Sequence, residues 1–191
     1  MITGILLAAG AGTRFGGDKL RFPLPDGTPI GVKAARNLLS AVDHGIAVVR
    51  PSDRQLAKLL EAEGLRVAFC HYAEAGMGTS LAYGVTAAQD ADGWLIALAD
   101  MPFIQPDTIR GIAGLIRAGA PIAAPRHHGR RGHPVGFARK FFHDLAQLSG
   151  DRGAHPLLAV HAARIQALEC EDPGIFADID TRSDHALAYH V

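Results

Sequence analysis

The chain is short of several things. It has two cysteines in 191 residues, Cys70 and Cys170, with no Cys-x-x-Cys spacing. That pattern argues against zinc ribbons and thioredoxin-like chemistry. Two thiols without a secretory signal predict a reducing, cytoplasmic setting. There is no excess of either charge, since nineteen basic residues balance nineteen acidic ones. A neutral chain speaks against a nucleic-acid coat or a polybasic membrane binder. Long hydrophobic runs are missing too. The apolar start "MITGILLAAGAG" lacks a basic n-region and reads as a buried first strand rather than a signal peptide. Runs such as Trp94 to Ala99 are too short to span a membrane. Gly-x-Ser-x-Gly and His-Glu-x-x-His are also absent, which removes the nucleophile elbow and the zincin helix.

What is present is a folded core, with 48% hydrophobic residues in a length suited to one domain. Short apolar runs alternate with helical patterns. "ITGILLAA", "GIAVVR", "LRVAFC", "GWLIALA", "APIAAP" and "HPVGFA" read as strands. A helix is expected over "TPIGVKAARNLLSAV", with Thr28 as cap and Pro29 at the first helical position. Ser52 and Gln55 predict a capping box ahead of a helix whose Leu56, Leu59 and Leu60 share a face. "SLAYGVTAAQ" reads as helix, and Pro106 opens another with Ile109, Ile112, Ala113 and Ile116 on one side. The alternation predicts a single α/β, Rossmann-like domain over residues 1–191, with a mainly parallel, mixed sheet and helices on both faces. The part after Gly150 is less regular and is expected to fold back on the same domain.

The unusual residues fall at strand ends, where open α/β sheets bind ligands. The first is the loop within "LLAAGAGTRFGGDKL". It fails as a Walker A loop. Gly12 and Gly17 have the right separation, but Asp18 precedes Lys19, and Leu20 replaces the magnesium-binding hydroxyl. It also fails as a dinucleotide loop: after Gly10 and Gly12 the third glycine comes one residue late, at Gly16. What remains is a backbone cradle for a phosphate chain, with Arg14 and Lys19 to neutralise it. Asp100 ends "GWLIALA" ahead of Met101-Pro102 and suits Mg²⁺, which commonly takes one or two carboxylates plus substrate phosphates. "GMGTS", Gly76 to Ser80, starts a helix with small residues that allow close approach of a base or sugar, Gly78 and Ser80 among them. The loop Arg126 to His133 holds three arginines and three histidines and suits an anionic substrate. Zinc is not expected there, because arginines repel a cation and no carboxylate or cysteine is close in sequence. His44, His143, His161, His185 and His190 are scattered and expected to be exposed, and Cys70 is expected in the core.

Together these stretches resemble the glycosyltransferase-A-like nucleotidyltransferases, and within them the molybdenum cofactor cytidylyltransferases. The resemblance rests on "LLAAGAGTRFGGDK", "EAGMGTSLAYGV", "LIALADMPF", "GRRGHPVGF", "LSGDRGAH" and "DIDTRSD", in order over most of the chain. It implies Mg²⁺-dependent transfer of CMP from CTP to the phosphate of molybdopterin carrying molybdenum, with release of pyrophosphate. Leu7-Ala8-Ala9-Gly10 is similar to the cytidine-using form of the loop, whereas guanosine users carry glycine in place of Ala9. By this resemblance Leu7 to Thr13 (Leu7, Ala8, Ala9, Gly10, Ala11, Gly12 and Thr13) would bind the nucleotide. Arg14, Lys19 and Asp100 would be catalytic, with Asp180 a possible second metal ligand. Arg131, Gly132, His133, Pro134, Asp151 and His155 would face the pterin. The nucleotide part would cover about residues 1–105 and the acceptor part 106–191. A molybdenum hydroxylase, or its maturation factor, would be the partner. Three residues depart from the family pattern: His71 stands for asparagine, His155 for arginine and Arg182 for proline. Two alternatives stay open on the residues: the same fold using GTP or another phosphorylated acceptor such as a sugar phosphate, and a non-catalytic cofactor-binding or chaperone module.

Overall fold

A computed structural model describes residues 1–10, 12 and 15–181. Eight strands form one sheet: β1 (Ile2–Leu7), β2 (His44–Val49), β3 (Arg66–Phe69), β4 (Gly93–Leu98), β5 (Ile122–His127), β6 (Arg130–Arg131), β7 (Val135–Ala138) and β8 (Ile165–Glu169). The order is β3-β2-β1-β4-β7-β5-β6, with β8 on the other side of β5. All pairings are parallel except those that β7 makes with β4 and β5 and the short β5–β6 hairpin. This is the mixed, mainly parallel sheet expected from the alternating pattern.

The helices are α1 (Ile30–Leu39), α2 (Arg54–Ala62), α3 (Met77–Ala87), α4 (Pro106–Arg117), α5 (Phe142–Ala146) and α6 (His155–Val160). Period-two alternation along the central strands sends side chains to two cores. Ile2, Leu6, Leu95 and Ala97 join Ala35 and Leu38 of α1, Leu56 and Leu60 of α2, and Ile109 and Ile112 of α4. Ile5, Val48, Trp94 and Ile96 join Leu81 and Val85 of α3, Leu145 of α5 and Leu158 of α6. β1 and β4 are therefore covered on both faces, which is why they read as continuous apolar runs. Trp94 meets its polar requirement inside the core by donating Nε1–H to the Ala88 carbonyl at 3.1 Å. Cys70 is buried, as expected. Of the described scattered histidines, His44 and His143 are exposed, but His161 is half-buried edge-on to Phe141. His185 and His190 lie outside the described residues.

Two helix starts differ from expectation. Thr28 is not a cap: its carbonyl accepts from Leu24 and its amide donates to Asp26 Oδ1, so it belongs to a turn. Pro29 then takes the cap position, and α1 begins at Ile30. The Ser52–Gln55 capping box does not form. Asp53 precedes α2, with no side-chain cap bond, and its carboxylate is held instead by the Arg50 guanidinium at 2.7 and 3.0 Å.

The carboxyl-terminal part returns to the sheet through β8 and then crosses the loop after β4. Asp172, 2% exposed, ties this strap down. Its carboxylate accepts from the Gln105 amide at 2.9 Å, the Thr108 hydroxyl at 2.7 Å and the Gly174 amide at 2.9 Å. Gly174 lies so close to the Phe103 carbonyl that a Cβ would sit 2.3 Å from its oxygen. From the other side, Asn37 of α1 donates to the carbonyls of Pro102 and Ile104 at 2.9 and 3.0 Å. Asp172→Ala leaves two amides and a hydroxyl without their acceptor in a buried place. It is expected to cost about 3 kcal/mol and to lower the melting temperature by roughly 6–12 °C for a chain of this size. Differential scanning calorimetry checks this, and an unchanged midpoint would contradict the tie.

Candidate functional site

The carboxyl ends of β1, β2 and β4 lie side by side. The ladder continues past the strands, with the Ala8 amide on Val48 and the Ala99 amide on Leu7. The cleft above this edge is lined by Leu7 at the end of β1, Ala9, Gly10 and Gly12 from the first loop, Lys19 to Arg21, Arg50 and Asp53 after β2, Met77 and Ser80 of α3, Leu98 at the end of β4 and Asp100 just after it. Gly12 has φ 60, a left-handed conformation that suits glycine where backbone must turn toward a ligand.

Lys19 is the electrostatic centre of the cleft. Its Nζ donates to Asp100 Oδ2 at 2.8 Å and to Asp180 Oδ1 at 3.2 Å. The lysine side chain is 11% exposed and the two carboxylates 25% and 27%. Burial opposes the ammonium charge. The hydrogen bond and charge of Asp100, and then those of Asp180, outweigh it and hold the lysine pKa above its usual value. Lys19 is therefore a fixed cation at neutral pH.

Asp180 arrives through the strap. The Ile179 amide donates to the Asp100 carbonyl at 2.9 Å, which sets residue 180 beside residue 100. Ile179 itself packs with Phe15, Leu24 and Ile30 beneath the lysine turn. Glycine loop, lysine turn and strap thus share one small core.

The other residues singled out from the sequence are distributed as follows. Ala8 is in the core. Gly78 does not line the cleft: its amide donates to the Gly150 carbonyl at 2.7 Å, and a Cβ there would sit 2.6 Å from the Ser149 oxygen. Its smallness serves the packing of α3 on that turn. Ala11, Thr13, Arg14 and Arg182 lie outside the described residues. Arg131, Asp151 and His155 are exposed, Gly132 is packed against the Ile175 carbonyl, and Pro134 is buried. None of these borders the cleft directly. His133 comes nearest in its influence. Its pKa is lowered by burial, against the attraction of Asp100, and its buried Nδ1 has no hydrogen-bond partner among the described residues. An orphaned imidazole nitrogen of this kind is ready to meet a ligand group. Asp151 stands beside Gly76, at the start of α3.

Arg50 and Asp53 were not anticipated. The signal available was position alone, since "RPSD" follows the second strand at the same sheet edge as the other loops. The arginine loop also holds a surprise. β8 brings the Glu171 carboxylate and the Cys170 carbonyl beside His127, so a carboxylate that is distant in sequence does lie near these histidines.

A cation held between two carboxylates, next to a backbone cradle at the end of a parallel sheet, is a site for moving phosphate-bearing groups, and the chain is a nucleotidyltransferase. It belongs to the family described as the MobA-like NTP transferase domain, whose pattern matches residues 4–167. The purine catabolism protein PucB of Bacillus subtilis is 32% identical over 97% of this chain and 95% of its own length. The nicotine blue oxidoreductase of Paenarthrobacter nicotinovorans is 30% identical over 94% of this chain and 92% of its own. The crystal structure of Rv0371c from Mycobacterium tuberculosis superposes with a TM-score of 0.86 at 28% identity, covering 100% of this chain and 97% of that one. The same mycobacterial protein has been solved in complex with manganese, with a TM-score of 0.82. The relatives' names differ among themselves, so the particular reaction has to be argued from the site.

Proposed function

We propose that the chain transfers a cytidylyl group from CTP to the terminal phosphate of molybdopterin carrying molybdenum, giving a cytosine dinucleotide cofactor and pyrophosphate. The observation that carries the reading is Lys19 set between Asp100 and Asp180 above the Gly10–Gly12 loop. The order of the family-like motifs along the chain supports the choice of acceptor. Ala9 borders the cleft, and its methyl group narrows the space relative to glycine, which favours a pyrimidine over a purine.

The acceptor phosphate attacks the α-phosphorus in line, and pyrophosphate leaves. A phosphate is already ionised at neutral pH, so no general base is needed. Positioning and charge stabilisation carry the rate. The amides of Gly10 and Gly12 approach the triphosphate, with Ala11 and Thr13 completing the loop. Lys19, and Arg14 five residues before it in the sequence, stabilise charge on the leaving pyrophosphate. Asp100 and Asp180 would hold Mg²⁺. The fit is good, because two hard oxygen donors already converge on one positive charge. Bound Mg²⁺ would supply charge neutralisation on the phosphate oxygens. The pterin would lie over the part formed by about residues 106–191, against Arg131 to Pro134 with the buried His133 nitrogen, and near Asp151 and His155. Residues up to about 105 would hold the nucleotide. The free thiols of Cys70 and Cys170 suit work in a reducing cytoplasm, with a molybdenum hydroxylase or its maturation factor as recipient. No helix among the described residues is long and apolar enough to cross a membrane.

The test is pyrophosphate release in Mg²⁺ with each nucleoside triphosphate, with and without molybdopterin. The reading expects release with CTP and molybdopterin together. Preference for GTP, or release with a sugar phosphate as acceptor, would replace this substrate pair. Ligand binding without release under any condition would point to a cofactor-holding module.

A further inference from the structure

We propose a second, separate metal site, for a divalent ion of the Zn²⁺ class, built from His127, His128 and Glu171 where the β5–β6 hairpin meets the end of β8. It does not rest on the nucleotidyl transfer reading. β5 and β8 run parallel with Arg126 opposite Glu169, and the Cys170 amide donates to the Arg126 carbonyl at 3.0 Å. That register carries Glu171 to His127, with Oε2 3.6 Å from Nδ1. His128 follows in the hairpin turn, its ring centroid 4.0 Å from that of His127. One donor atom from each of the three residues lies within 4.8 Å of the others.

Three features favour a metal over a solvated cluster. First, His127 Nδ1 is 2.8 Å from the Cys170 carbonyl. A carbonyl only accepts, so Nδ1 carries the proton and Nε2 is the atom left for a metal; Glu171, 87% exposed and lying at the Nδ1 edge, turns its carboxylate to the Nε2 side to complete the site. Metal-ligating histidines are commonly oriented by this kind of bond to backbone oxygen. Second, His128 and Gly129 have φ 48 and 75, the pair of positive values of a tight hairpin turn. Asn, Asp or Gly usually fills the first of these places, and here an imidazole does. Third, two of the three neighbouring arginines are engaged: Arg126 is neutralised by Glu169, and the Arg130 guanidinium is drawn over the Phe176 ring at 4.5 Å. The repulsion expected from a run of arginines is thereby reduced. Two imidazoles and one carboxylate suit Zn²⁺, Co²⁺ or Ni²⁺ rather than Mg²⁺, and three protein ligands leave a coordination position open.

The test is calorimetric titration of the full chain with Zn²⁺ in excess Mg²⁺, with Asp100→Ala titrated beside it to separate any binding in the cleft. One saturable equivalent is expected. His127→Ala, His128→Asn and Glu171→Gln should each weaken it by about 10-fold or more. Asparagine at 128 keeps a residue that tolerates the turn, and thermal melts confirm that each variant folds. Asp100→Ala and Cys170→Ser should bind as the wild type does, and Co²⁺ in place of Zn²⁺ should give visible d–d absorption that His127→Ala abolishes. Absence of saturable binding overturns the site, as does equal affinity in the three ligand variants. Loss in Asp100→Ala would move the ion to the cleft, and loss in Cys170→Ser without loss in Glu171→Gln would replace the donor set.

Discussion

Asp100→Ala is expected to lower turnover by about 10²–10³-fold, the size typical of removing a preorganised electrostatic group. In free energy that is about 2.7–4 kcal/mol of transition-state stabilisation. The fold should survive. Lys19 keeps Asp180 as a partner, and the loop after Asp100 stays pinned through Asn37 and Asp172. Apparent Mg²⁺ affinity should fall with the rate, because one of the two converging carboxylates is gone. Asp100→Asn keeps the shape and removes the charge, so it should show the same loss if alanine perturbs the loop. Steady-state pyrophosphate release over a Mg²⁺ series reads both effects. Near-wild-type turnover in a folded variant would remove Asp100 from the chemistry.

Lys19→Ala should cost turnover by a similar factor, about 10²–10³-fold, but with the opposite effect on metal. In the resting cleft the ammonium is the counter-charge of both carboxylates. Without it Asp100 and Asp180 repel each other, and a divalent cation relieves that repulsion. Mg²⁺ should therefore bind more tightly while the rate falls. The loss should appear in kcat rather than in KM, since the lysine acts on charge that develops as pyrophosphate leaves. A variant that loses metal affinity and rate together would show that Lys19 only supports the carboxylates. One that keeps full turnover would show that it does not act on the leaving group.

The architecture was legible where burial is complete. β1 and β4 lie between two cores, and their apolar runs announce this. The glycine loop, Lys19 and Asp100 were legible because each follows such a run and parallel strands end on one side. β8 was not. Its residues Ile165–Glu169 are exposed or half-buried and none is fully buried, so no apolar run marks it. The arrival of Cys170 and Glu171 beside His127 was hidden with it, and Asp180 beside Asp100 was expected only through the family resemblance. These are contacts across 80 and more than 40 residues, set by register and a strap.

Capping rules failed where other partners, also near in sequence, competed for the same atoms. The Asp53 carboxylate is bound by Arg50, not by helix amides, and Thr28 is taken up by a turn. Gly78 shows a different limit. Its small size was visible, but the neighbour requiring it is the Ser149–Gly150 turn rather than a ligand.

The most direct measurement is the mass of the product formed from molybdopterin carrying molybdenum, CTP and Mg²⁺. The account predicts the acceptor enlarged by one cytidylyl group, with one pyrophosphate released per molecule formed, and about 10²–10³-fold less of that product from Lys19→Ala over the same initial period. An unmodified acceptor in the presence of folded, CTP-binding protein would contradict it.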